Sequence, residues 1–141
     1  MVNVFNPVRI TVEGCFDGDD FDIALELGDK GYSLRGKRIS RSLLGGPPRV
    51  SQMSVAVSAD WATGVLTELK NAHIPPLPPE VSGCDGEFYT MSVGDDFGGA
   101  TYRWWRCPPE GWEVLSETTR RMIDEFSKHL PECSPPEGGE I

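Results

Sequence analysis

The stretch that decides the fold is Glu87 to Leu115, EFYTMSVGDDFGGATYRWWRCPPEGWEVL. Tyr89, Met91 and Val93 alternate with Phe88, Thr90 and Ser92, the two-residue period of a strand. The segment Gly94-Asp95-Asp96-Phe97-Gly98-Gly99 then reverses the chain, because glycine tolerates turn conformations and aspartate bonds its own backbone. Setting Val93 opposite Ala100 pairs Met91 with Tyr102 and Tyr89 with Trp104 on one face, and Phe88 with Trp105 on the other. After Cys107-Pro108-Pro109, the residues Trp112, Leu115, Thr119, Met122, Ile123, Phe126 and Leu130 recur at helical spacing, so a helix follows and stops at Pro131.

Upstream, Val8, Ile10 and Val12 alternate with Arg9, Thr11 and Glu13, and Phe21, Ile23, Leu25 and Leu27 repeat the pattern. Pairing the two runs with Val12 opposite Ile23 sets Arg9 across from Glu26. The turn Gly28-Asp29-Lys30-Gly31 leads to Tyr32 and Leu34, with Leu25 opposite Leu34 and Asp22 opposite Lys37. A loop at Leu44 to Pro48 precedes a fourth strand bearing Met53, Val55 and Val57. Ser58 or Asp60 then caps a helix carrying Trp61, Val65, Leu66 and Leu69, which ends near Ala72 or His73. The Pro75 to Pro79 run takes an extended path, as a connector or a short docking segment. These readings predict an α+β fold in the order ββββ-α-ββ-α, with an antiparallel sheet of about six strands and both helices on one face. Residues 1–131 form one domain, and 132–141 a flexible acidic tail.

Composition narrows the function classes. The 141 residues suit one domain with a real core, and 38% hydrophobic with 25% charged content places the chain among soluble globular proteins. No apolar run reaches the roughly 20 residues that span a bilayer, and MVNVFNPVRI lacks the pattern of a secretory signal, so a cytoplasmic location is expected. Cys15, Cys84, Cys107 and Cys133 are spaced too widely for a disulfide framework and are expected to be reduced. Acids outnumber bases 22 to 13, giving a formal charge of -9, which opposes phosphate contacts and favours basic protein partners.

Candidate chemistry is sparse. Asp17, Asp19, Asp20 and Asp22 hint at a calcium loop, but the pattern begun at Asp17 puts Phe21 at its fifth position and Gly28 where the bidentate glutamate belongs. His129 and Cys133 have a spacing that zinc ligands use, with Cys84 or Cys107 as further donors, yet Cys133 follows a helix-ending proline. Neither His73 nor His129 sits in a nucleophile motif, and phosphate-binding glycine loops are missing. The reading is therefore a non-enzymatic protein without metal or cofactor. The alternative is a small hydrolase or ligand-binding domain whose site assembles from scattered carboxylates and His73.

Two features suggest a binding surface instead. From Ile10 to Asp29 there are seven acids and no bases, whereas Lys30 to Val50 holds six bases and no acids. Cross-strand compensation explains much of this, but an acidic edge at Asp17 to Asp22 beside a basic flank at Arg35 to Arg41 also suits orientation of a charged partner. The tetrapeptide Gly-Asp-Asp-Phe, at 18–21 and again at 94–97, marks both acidic turns. Trp104 and Trp105 point to opposite faces of their strand, so Trp105 is either covered by the N-terminal segment or the proline loop, or available as an interface anchor. The candidate partner-binding residues are Asp17, Asp19, Asp20, Phe88, Asp95, Asp96, Arg103 and Trp105.

From Trp61 onward the chain resembles small bacterial single-domain proteins. The resemblance is carried by Trp61 and Leu69, the Pro75 to Pro79 run, Asp85-Gly86, Tyr89, Tyr102-Arg103-Trp104, and Trp112 after Pro108-Pro109. It covers a little over half of the chain. Proteins of this kind include immunity proteins encoded beside secreted bacterial toxins, which implies a specific inhibitor of a toxin; no catalytic residues carry over.

Overall fold

A computed structural model of the chain describes residues 5–14, 19–40, 46–75, 87–94 and 98–129. Six strands and two helices follow in the predicted order: β1 (Phe5–Glu13), β2 (Asp19–Gly28), β3 (Gly31–Ser40), β4 (Arg49–Ala56), α1 (Ala59–Lys70), β5 (Phe88–Gly94), β6 (Gly99–Trp105) and α2 (Glu113–Ser127). The strands make one antiparallel sheet in the order β4-β3-β2-β1-β5-β6, an α+β fold. The β5–β6 hairpin joins the open side of β1, so β1 becomes a central strand and β4 and β6 become the edges.

Alternation settles which face is buried. Val8, Ile10, Ile23, Leu25, Leu34, Val55, Met91 and Trp104 all lie on one side of the sheet and pack with Ala62, Trp112, Leu115, Met122 and Phe126 of the helical layer. Each fully buried aliphatic side chain of this kind contributes about 1.5–3 kcal/mol. Both helices therefore cover a single face, and the other face is free of them.

Helix α1 begins at Ser58, whose hydroxyl accepts the Trp61 N–H at 3.1 Å and so satisfies one of the unpaired donors of the first turn. It buries Ala62 and Val65 and is tied to α2 by the Arg121 to Glu68 ion pair at 2.8 Å. Helix α2 buries Leu115, Thr118, Thr119, Met122 and Phe126, and the Thr119 hydroxyl donates back to the Leu115 carbonyl. Its entry is fixed by Trp112, whose indole donates to the Pro75 carbonyl at 2.9 Å. Trp112 meets Tyr102 and Trp104 edge-on, while Trp104 stacks on Tyr89 with ring centroids 5.5 Å apart.

Three sequence expectations need correction. Val12 pairs with Phe21, not Ile23, so the β1–β2 register is displaced by two residues and Arg9 faces Ala24 in place of Glu26. A shift of two preserves which face each side chain takes, so alternation alone does not separate the two registers. Strand β2 also begins at Asp19, so Asp19 and Asp20 belong to a strand and not to a turn. Helix α2 ends at Ser127, before the expected stop at Pro131. The β2–β3 and β5–β6 registers agree with the sequence reading at every pair named above. Among the described residues, no helix is long and apolar enough to cross a membrane.

Candidate functional site

The helix-free face carries two groups of candidate side chains at different places on the sheet. At its β6 edge, Phe88 and Trp105 are direct cross-strand partners. The Arg103 guanidinium lies 5.1 Å from the centre of the Phe88 ring, and that of Arg106 lies 5.7 Å from the Trp105 ring. Each such contact contributes on the order of 0.5–1 kcal/mol at an exposed site and holds an otherwise flexible side chain in place. Phe88 is 37% exposed and Trp105 is half-buried.

Local backbone chemistry explains why the pair is held so firmly. The Arg106 N–H donates to the Glu87 carbonyl at 2.7 Å and adds one rung beyond the Phe88–Trp105 pair. Arg106 takes a left-handed conformation, φ 67°, which disfavours a residue with a Cβ and is sustained only by its surroundings. The indole N–H of Trp105 is shut off from water and has no hydrogen-bond partner among the described residues. Such a group carries a penalty of about 1–3 kcal/mol.

The second group lies near the β4 edge. Arg9 reaches past its direct neighbour, the small Ala24, and donates to both carboxylate oxygens of Asp22, Nε at 3.0 Å and Nη2 at 2.8 Å. This bidentate grip, with the attraction of the Asp22 charge, raises the Arg9 pKa above its ordinary value. Asp22 is thereby engaged, and Lys37, directly across the ladder from it, has no ion pair or side-chain hydrogen bond among the described residues. Arg35 and Glu26 are likewise unpaired there. Arg9, Asp22, Arg35, Lys37, Gln52 and Ser54 help line a shallow concavity of about 550 Å³.

On the helix side, the Tyr89 hydroxyl donates to the Glu87 carboxylate at 2.7 Å. Burial, the hydrogen bond to Glu87 and its negative charge push the tyrosine pKa up to about 12, against a smaller opposing influence from Arg120. A phenol held protonated in this way braces the end of β5.

The remaining predicted residues separate. Asp20 is only 8% exposed and its carboxylate accepts the Gly14 N–H at 2.8 Å, so it braces the end of β1. Asp19, its neighbour along the strand, takes the opposite face and lies 3.9 Å from Arg38. Asp17, Asp95 and Asp96 are outside the described residues. Gly94, next to Asp95 in the sequence, and Phe88 occupy opposite ends of β5, roughly 20 Å apart, so the flank of that turn lies far from the Phe88–Trp105 pair. His73 and His129 are exposed, and neither imidazole has a partner among the described residues. Cys107 is exposed and unbonded, while Cys15, Cys84 and Cys133 lie outside the described residues. No group of three or more His, Cys, Asp or Glu side chains able to hold a metal occurs among the described residues.

Sequence reading identified the Phe88, Arg103 and Trp105 cluster as a surface but missed the concavity beside Arg9. Its cations, Arg35 and Lys37, belong to the basic flank read from the sequence, and the displaced β1 register lets Arg9 take the Asp22 carboxylate that stands across from Lys37. No protein-family model matches this chain, and no curated protein and no solved structure matches it either.

Proposed function

We propose that this chain is a non-enzymatic protein-binding domain whose partner docks on the helix-free face of the sheet. The observation that supports it most is the Phe88–Trp105 pair, an aromatic patch flanked by two guanidinium groups and held by the strained Arg106 turn. Tryptophan and arginine in this setting are favoured as interface anchors, because they offer large contact area with little remaining freedom to lose.

The more specific reading is an immunity protein that acts in the bacterial cytoplasm and inhibits a cognate toxin. Its support is the resemblance of the segment from Trp61 onward and the formal charge of -9, whose field draws in a basic toxin or effector. Affinity capture from the native host tests it: a basic protein should be recovered in stoichiometric complex, and co-expression should restore growth to cells producing that protein. Capture of no protein partner counts against the binding reading, and capture without growth protection against the immunity reading alone.

A further inference from the structure

Among the described residues, no strand pairs with the outer edge of β4. The Val57 N–H donates to the Tyr32 carbonyl at 3.1 Å, which makes 32 and 57 a hydrogen-bonded rung of the β3–β4 ladder. Rungs alternate in an antiparallel pair, so Val55, Met53 and Ser51 also direct their backbone groups towards β3. Val50, Gln52, Ser54 and Ala56 direct theirs outward, and no described residue bonds to them there. All four are exposed, Val50 at 57%. The stretch from Val50 to Ala56 contains no proline and no charged residue, the usual devices that keep an edge from pairing.

Charge identifies the occupant. Lys37 and Arg35 stand directly across from Gln52 and Ser54 on the helix-free face. Neither cation is paired among the described residues, and the short Ser54 side chain does not screen Arg35 from a strand beyond β4. At the other edge the nearby guanidinium groups of Arg103 and Arg106 already rest on Phe88 and Trp105.

We propose that the β4 edge takes up an extended acidic segment of a partner protein as a seventh strand. Its backbone bonds to Val50, Gln52, Ser54 and Ala56, and its alternate side chains place carboxylates within reach of Arg35 and Lys37. An added strand lies two strand spacings from β3, roughly 10 Å, a gap that a glutamate and an arginine or lysine close together. Its other side chains fall beside Met53 and Val55. This is strand addition, in which the backbone supplies affinity and alternate side chains supply selectivity. The site is roughly 24 Å across the sheet from the Phe88–Trp105 pair and does not depend on it.

The probe is a capped heptapeptide of alternating glutamate and valine, with a lysine–valine peptide as control, followed by amide hydrogen exchange in the full chain. The glutamate peptide should slow exchange at Val50, Gln52, Ser54 and Ala56, leave Thr101 and Arg103 unchanged, and lose affinity as salt is added. Arg35→Glu with Lys37→Glu should weaken it roughly threefold to tenfold. Ser54→Pro, which removes only an outward N–H, should abolish the protection. If the proline variant fails to fold, the charge variant decides, because its backbone is unaltered. Equal binding of both peptides, or no protection at the four amides, overturns the proposal. So does protection that rises with the concentration of the chain alone, since a second copy then fills the edge.

Discussion

Arg9 and Asp22 stand diagonally across the β1–β2 ladder and share two hydrogen bonds, at 3.0 and 2.8 Å. This relationship shapes one half of the helix-free face, because the Asp22 carboxylate turns to Arg9 and, among the described residues, makes no side-chain bond to Lys37 across the next ladder. The pair is largely open to water, which limits what it adds to stability. Asp22→Asn should therefore cost only about 0.2–1 kcal/mol in urea unfolding, with an unchanged denaturant slope. A much larger loss would mean that the pair holds β1 and β2 in register.

The two neighbouring tryptophans should respond differently to truncation. Trp104 is 4% exposed and stacks on Tyr89, so Trp104→Ala should cost about 3–5 kcal/mol. Trp105→Ala gives up contacts with Phe88 and Arg106 at a half-buried site and should cost about 1–2 kcal/mol while leaving the fold intact. Chemical denaturation of both variants checks this, and equal losses would contradict the division of faces.

Gly36 is a strand glycine that the sheet requires. A Cβ there would collide with the Asp22 carbonyl and come within 2.8 Å of the Ile23 Cα, all immovable backbone of β2. Gly28, at the end of the same ladder, has open space. Gly36→Ala should destabilise by about 1–3 kcal/mol or more, and Gly28→Ala by much less. Thermal unfolding of the two variants side by side tests the difference.

Tyr89 makes stability depend on pH in the alkaline range. Its folded pKa of about 12 lies above the ordinary tyrosine value of 10.0, so the folded state keeps the phenol proton longer than the unfolded chain does. The stabilisation is complete below pH 10 and falls as the pH rises from about 10 to about 12, where the unfolded chain ionises first. In an ultraviolet titration of tyrosinate Tyr89 should ionise late. Tyr89→Phe should remove that late step and flatten the alkaline loss of stability.

Much of the architecture was legible because local signals agreed. Tyr89, Met91, Tyr102 and Trp104 share one face at strand period, and Gly94 and Gly99 bracket their turn, so the β5–β6 register had one consistent solution. Between β1 and β2 two registers keep the same residues inside. The Gly14 to Asp20 hydrogen bond belongs to the one adopted, and nothing in the alternation announces it. The docking of β5 beside β1 was invisible for a different reason: pairing between distant segments leaves no local periodic trace. That pairing makes Val8, Ile10 and Val12 a central strand. At the surface, Phe88, Arg103 and Trp105 were legible as an outward patch, whereas the burial of Asp20 required the three-dimensional contact with Gly14.

The proposed partner docks on the helix-free face through Phe88 and Trp105. The most direct measurement is calorimetric titration of the captured partner into the wild-type chain and into the Phe88→Ala, Trp105→Ala double variant, with circular dichroism showing that both are folded. A Kd at least about tenfold weaker is expected for the double variant. An unchanged Kd in a folded double variant would contradict it.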